Sequence, residues 1–194
     1  MTMRPTRLVI PSVHLDAPVV GVDVVGGALA VPDDVHTLGW WSEGPSPGAV
    51  SGTRVLDGHV DSARQGLGAL AVVGHLNLGD IMIVDSEQGE HRYVIVAQRT
   101  YHKDALPRDI FATTGHSRLA LITCGGPFNS AARQYDDNIV TYAVPATMIP
   151  AERGGNTVQV IAKPLLGRTH TRVATIAFVV PSHVGPPVDC DLQR

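Results

Sequence analysis

Three residues of this 194-residue chain could together carry acyl-transfer chemistry: Cys124, His59 and Arg133. Cys124 closes the apolar run Leu119-Ala120-Leu121-Ile122-Thr123 and is followed by Gly125-Gly126-Pro127. An apolar strand fixes the position of a thiol, and the glycines let the backbone turn sharply and leave the strand end open to a substrate carbonyl. Taken alone, the segment equally suits an unreactive buried cysteine, since Cys is among the most buried residue types. His59 stands in Leu56-Asp57-Gly58-His59-Val60-Asp61-Ser62, again after a strand-like run and a glycine. The thiolate is the nucleophilic form of cysteine, a neighbouring imidazolium favours it, and the same ring can later protonate a leaving amine. The chain has nine histidines, so one alone says little; His14, His75, His91, His102 and His170 have no comparable setting. Arg133 follows Cys124 in Arg133-Gln134-Tyr135-Asp136-Asp137-Asn138, and a hairpin-like return would bring it alongside the thiol. There its permanently charged guanidinium would stabilise the negative charge that develops on a carbonyl oxygen. Alone, it reads as a solvated loop arginine.

Two other chemistries use some of the same residues. His59 and Asp61 form an H-x-D pair, and Cys124 could complete a zinc site of a hydrolase. Against this, the chain has no H-x-x-x-H and no second H-x-H, and Arg133 would be a poor neighbour for a cation. A non-catalytic barrel that only binds peptides is the second alternative, because a fold does not fix a function.

The elements that must position these residues read as short strands separated by Gly, Pro and Asp. Candidates are Arg7–Ile10, Ala17–Val24, Ala28–Val31, Thr53–His59, Asp80–Asp85, Arg92–Thr100, Leu119–Cys124 and Ile139–Val144. Tyr93-Val94-Ile95-Val96-Ala97 is rich in β-branched residues, which suit a pleated surface. Helical periodicity is nearly absent; Gly68–Leu76 and Asp104–Phe111 are the candidates for short helices. The expectation is an all-β fold closed, or nearly closed, into a barrel. Composition shifts after Pro145, so residues 1–146 read as the catalytic domain and residues 147–194 as an appendage of unassigned structure. Within the appendage, Thr157–Ala162 and Val173–Val180 are strand-like.

Composition narrows the functional classes. The length suits one domain, and 17 % charged against 44 % hydrophobic residues argues against a disordered chain. Net charge is −3, from 15 Lys+Arg and 18 Asp+Glu, with no basic run, so no nucleic acid or anionic membrane partner is indicated. Two cysteines, Cys124 and Cys190, could pair, but they do not make a disulfide scaffold. Met1-Thr2-Met3-Arg4-Pro5 shows no apolar signal region, and the longest apolar stretches fall short of a membrane span, so the chain as written reads as soluble.

Taken in order, the motifs resemble the sortases, and among them the actinobacterial class F (class E/F) group. The resemblance runs from about Leu8 to Ala146. It rests on Arg7-Leu8-Val9-Ile10-Pro11 with Asp16-Ala17-Pro18-Val19, on Val31-Pro32-Asp33-Asp34, and on Gly39-Trp40-Trp41. It continues through Gly58-His59-Val60-Asp61-Ser62, Leu78-Gly79-Asp80, Leu121-Ile122-Thr123-Cys124-Gly125-Gly126-Pro127-Phe128 and Arg133 to Val140. The resemblance implies an eight-stranded β-barrel with short helices or 3-10 turns and a Cys124-His59-Arg133 triad. It implies that the thiol attacks the Thr–Gly bond of an LPxTG-type C-terminal sorting signal on a surface protein. A cell-wall precursor amine, or water, then resolves the acyl-enzyme. Thr123 would support the oxyanion or the substrate backbone, and no metal or other cofactor is expected. The enzyme would act as a monomer at the cell surface, membrane-anchored in its full-length form, although this chain shows no anchor. The anchor and the extra 147–194 segment are where the chain departs from the family pattern.

Overall fold

The computed structural model describes residues 3–148. Among the described residues twelve strands are formed: β1 Pro5–Ile10, β2 Leu15–Val22, β3 Val24–Val25, β4 Ala28–Leu29, β5 Leu38–Trp41, β6 Thr53–Asp57, β7 Asp61–Ser62, β8 Gly66–Leu67, β9 Ile81–Ser86, β10 Gly89–His102, β11 Arg118–Asn129 and β12 Gln134–Pro145. Eight of them close into a barrel in the order β1-β2-β5-β6-β11-β12-β10-β9. The pairs β2–β5 and β6–β11 are parallel and the rest antiparallel. The all-β barrel expected from the sequence is the fold observed.

Alternation sets the two faces of the wall. In β2, Leu15, Ala17 and Val19 are buried while Asp16, Pro18 and Val20 are exposed, the period-2 pattern of a strand with one face in the core. The barrel lumen is filled from all eight barrel strands, by residues including Leu8, Val19, Trp40, Leu56, Val84, Ile95, Leu121 and Ala143. A second apolar layer lies on the outer wall. It joins Val55, Ala120, Ile122, Cys124, Val140 and Tyr142 to Leu29, Trp41, Leu106 and Ile110 from covering segments. The connection between β10 and β11 is fixed over that wall by the ion pair of Arg118 Nη2 with Asp109 Oδ2 at 3.0 Å and by the edge-on packing of Trp41 on Phe111.

Several boundaries differ from the sequence reading. The expected strand Ala28–Val31 pairs with β3 in a separate two-stranded ribbon, and the barrel strand missing from the reading is β5. All four residues of β5 are buried, so it shows no alternation to betray it. Thr53–His59 stops as a strand at Asp57, and β10, β11 and β12 extend beyond the expected ranges. Gly68–Leu76 forms a 3-10 helix over Ala69–His75. Asp104–Phe111 splits into 3-10 turns at Lys103–Ala105 and Arg108–Phe111, because Pro107 between them has no N–H to continue a helix. The strand-like segments Thr157–Ala162 and Val173–Val180, with Cys190, lie outside the described residues.

Candidate active site

The site is set by one parallel strand pair. In β6–β11, Val55 lies opposite Ala120 and Asp57 opposite Ile122. The pairing runs one step past the end of β6: Gly58 N–H donates to Ile122 O at 3.2 Å. Thr123 Oγ1 in turn donates to Gly58 O at 2.8 Å. His59 follows the end of β6 by two residues, and Cys124 lies within the neighbouring β11. Val55, Ala120 and Ile122 all belong to the outer-wall layer with Cys124.

Cys124 is 3 % exposed. The chemistry discussed below belongs to the reduced Cys124 thiol. Behind it, β11 bulges between Gly125 and Phe128. Gly126 takes a φ of 74°, and a β-carbon there would collide with the Asp137 carboxylate. The glycines thus give a bulge within β11, not the sharp turn at an open strand end that the sequence suggested, and a β-carbon at Gly126 does not fit.

His59 is partly buried, and its Nε2 lies 2.9 Å from the carbonyl oxygen of Pro32. A carbonyl can only accept, so Nε2 carries the proton in this contact and Nδ1 is left to accept one, unless the ring is doubly protonated. The chain leaving His59 is held by two backbone bonds, Leu70 N–H to His59 O at 3.1 Å and Gly68 N–H to Val60 O at 2.9 Å. Gly68 packs so tightly on the His59 carbonyl that a β-carbon would overlap it.

Arg133 sits elsewhere than the sequence suggested. Both strands of the hairpin continue past Cys124, so the residue opposite Cys124 is Asn138, and the ladder closes at Asn129–Gln134. Arg133 occupies the turn beyond it, exposed, with a left-handed φ of 56°. The hairpin return is real, but the ladder does not place Arg133 alongside the thiol. Thr123 is 1 % exposed and its hydroxyl is committed to Gly58 O, so its place is a link between the two catalytic strands, not a donor offered to substrate. Two residues the sequence reading gave no role lie here. Asn138, opposite Cys124, is fully buried. Asp57, one strand across from Ile122, is fully buried too, and burial raises its carboxyl well above the usual range. The motif context contained both, but burial was the missing signal.

Asp61, paired with His59 in the zinc reading that Cys124 would complete, accepts a hydrogen bond from Tyr135 OH at 2.6 Å. Among the described residues no group of three His, Cys, Asp or Glu side chains is arranged to hold a metal. Neither the zinc hydrolase nor the non-catalytic barrel is favoured by the family that residues 8–146 match.

Residues 8–146 match the family model described as "Sortase domain". The chain belongs to the sortase family, the cysteine transpeptidases that act on sorting signals of surface proteins. Among curated proteins none matches. Among solved structures, the fold is similar to Streptococcus agalactiae sortase C1 in complex with MTSET, at 19% identity and TM-score 0.57, covering 76% of this chain and 70% of that one. It is also similar to sortase C from Clostridium perfringens SM101, at 14% identity and TM-score 0.55, covering 74% of this chain and 70% of that one. Group B Streptococcus Pilus Island 1 sortase C2 aligns at 17% identity and TM-score 0.55, over 72% of each chain. These likenesses establish the barrel.

Proposed function

We propose that this sortase is of class F type and cleaves an LPxTG-type sorting signal through an acyl-enzyme on Cys124. The observation that supports this reading is the β6–β11 pairing, whose last partners, Asp57 and Ile122, each stand two residues before His59 and Cys124. In the proposed sequence, the Cys124 thiolate adds to the Thr carbonyl carbon and the carbonyl π electrons move onto oxygen. His59, as the imidazolium, gives its proton to the departing Gly nitrogen as the C–N bond breaks. An acceptor amine or water then adds to the thioester, His59 takes up its proton, and the thiolate leaves. Arg133 supplies charge to the oxyanion or grips the substrate backbone, with the hairpin arm folded toward the thiol. Cell-wall precursor amines are the acceptors, and the full-length enzyme is a monomer anchored at the outer face of the membrane. Among the described residues no helix is long and apolar enough to cross one.

The test is mass spectrometry of the reduced protein incubated with an LPxTG-type peptide. A thioester adduct on Cys124 that carries the peptide up to its Thr, with release of the Gly-led fragment, is the expected outcome. Intact peptide and unmodified protein would overturn the proposal.

A further inference from the structure

The hydrogen bond between Tyr135 and Asp61 joins two arms of the molecule that the barrel ladder leaves unconnected. Asp61 begins β7, two residues after His59. Tyr135 lies at the distal end of the β11–β12 hairpin, opposite Phe128 and two residues after Arg133. Their separation in sequence is 74 residues, and the oxygens are 2.6 Å apart. The Tyr135 ring is set by an edge-on contact with Phe128, centroids 5.3 Å apart, so the hydroxyl is aimed by a packed ring and not by a loose side chain. Tyr135 and Val60 both pack against the apolar layer that contains Cys124. The bond thus reaches from the His59 arm to the Arg133 arm beside the thiol.

We propose that Tyr135 and Asp61 are positioning residues that clamp the Arg133 hairpin arm to the His59 segment and so set the width of the cleft in which the acyl-enzyme forms. The proposal rests on the sortase reading of the site given above. Besides the clamp, the distal hairpin is tied to the body by the β10–β12 ladder, which reaches Asp137, and by the hydrogen bond from Lys103 Nζ to Gln134 Oε1 at 3.3 Å, while Arg133 in the turn is exposed. A misplacement of about 1 Å at a distance from the chemistry can cost orders of magnitude in rate, because reacting groups must be pre-aligned. Asp61 also keeps the phenol protonated: its hydrogen bond is the main cause that pushes the Tyr135 hydroxyl up to about 12. The donor therefore persists through the range in which thiol chemistry runs.

The experiment compares Tyr135→Phe, Asp61→Ala, the double variant and Asp61→Asn in the full chain under reducing conditions. Expected are losses of roughly 10-fold in kcat for each of the first two with KM little changed, no further loss in the double variant, and substantial rescue by Asn, which keeps an acceptor. Alkylation of Cys124 by iodoacetamide should stay at the native rate, while backbone amides of residues 130–136 exchange faster in both single variants. Losses that multiply in the double variant, or exchange unchanged from the native protein, would overturn the clamp. If the native protein itself forms no acyl-enzyme, the functional reading has failed, and the exchange comparison alone still decides whether the clamp exists.

Discussion

Thr123 donates its hydroxyl to the carbonyl of Gly58, so the residues immediately before Cys124 and His59 are bonded to each other across two strands. This is a buried side-chain bond inserted into the parallel ladder at the point where β6 ends. It ties the two strands together one residue beyond their last paired residues.

Removing that bond should therefore disturb geometry before it disturbs the fold. Thr123→Val keeps the shape but strands the Gly58 carbonyl, which costs about 1–3 kcal/mol of stability. Turnover should fall by about 10-fold or more, from misalignment of His59 and Cys124. Thr123→Ser, which keeps the hydroxyl, should retain most of both. Steady-state kinetics with thermal unfolding checks this, and a Val variant with native activity would exclude a positioning role for Thr123.

The proposed triad makes graded expectations. Cys124→Ala should abolish turnover, and His59→Ala should come close to it, since the leaving nitrogen loses its proton donor. Arg133→Ala should slow the reaction by roughly 10²–10³, the scale for a lost oxyanion donor. Arg133→Lys should not restore it, because a point charge does not reproduce the planar fork. Since Arg133 stands in the exposed turn, the kinetics of its alanine variant are the decisive measurement: native rates would remove it from the site.

Asp57 predicts a pH dependence of stability. Its carboxyl is buried and neither oxygen has a hydrogen-bond partner. Desolvation is the largest influence and raises its pKa well above 3.8; the Asp57 and Gly39 backbone amides lie near enough to favour the anion but do not outweigh burial. In the folded protein the group stays protonated where the unfolded chain has released its proton. Stability from this residue is thus complete below the unfolded value of 3.8 and declines as pH rises above it, until the folded group also ionises. Asp57→Asn, neutral throughout, should be more stable than the native protein at about pH 7 and gain nothing near pH 3. Thermal unfolding at the two pH values checks this; an equal gain at both would show that the Asp57 pKa is the same in the folded and the unfolded chain.

The boundary after Ala146 is also testable. The barrel closes through ladders whose residues run from Pro5 to Pro145. A chain ending at Ala146 should therefore fold with the same far-ultraviolet circular dichroism signature of strands and, once reduced, form the acyl-enzyme. Insoluble product would place part of residues 147–194 in the core.

The parts of this molecule legible in the sequence were those with local signatures. The runs Ala17–Val24 and Tyr93–Ala97 marked strands directly, whereas Cys124 and His59, read as strand ends, lie inside β11 and two residues beyond β6. What escaped was non-local. β5 is short and buried at every residue, so nothing in its own four residues distinguishes it from a loop with two tryptophans. The length of the hairpin could not be read either, because Gly125, Gly126, Asp136 and Asp137 are poor strand formers that pair only through their partner strand. That length decides where Arg133 lies. The Tyr135–Asp61 bond spans 74 residues and has no trace in either local segment.

Cys124 belongs to the layer on the outer wall of the barrel, not to the lumen. A peptide that reaches it need never be threaded through a pore. It can lie along the wall with both ends trailing into solvent, so the bulk of whatever folded protein carries the peptide imposes no size limit on entry. The filled lumen serves as a rigid mandrel, and the chemistry takes place on its flank.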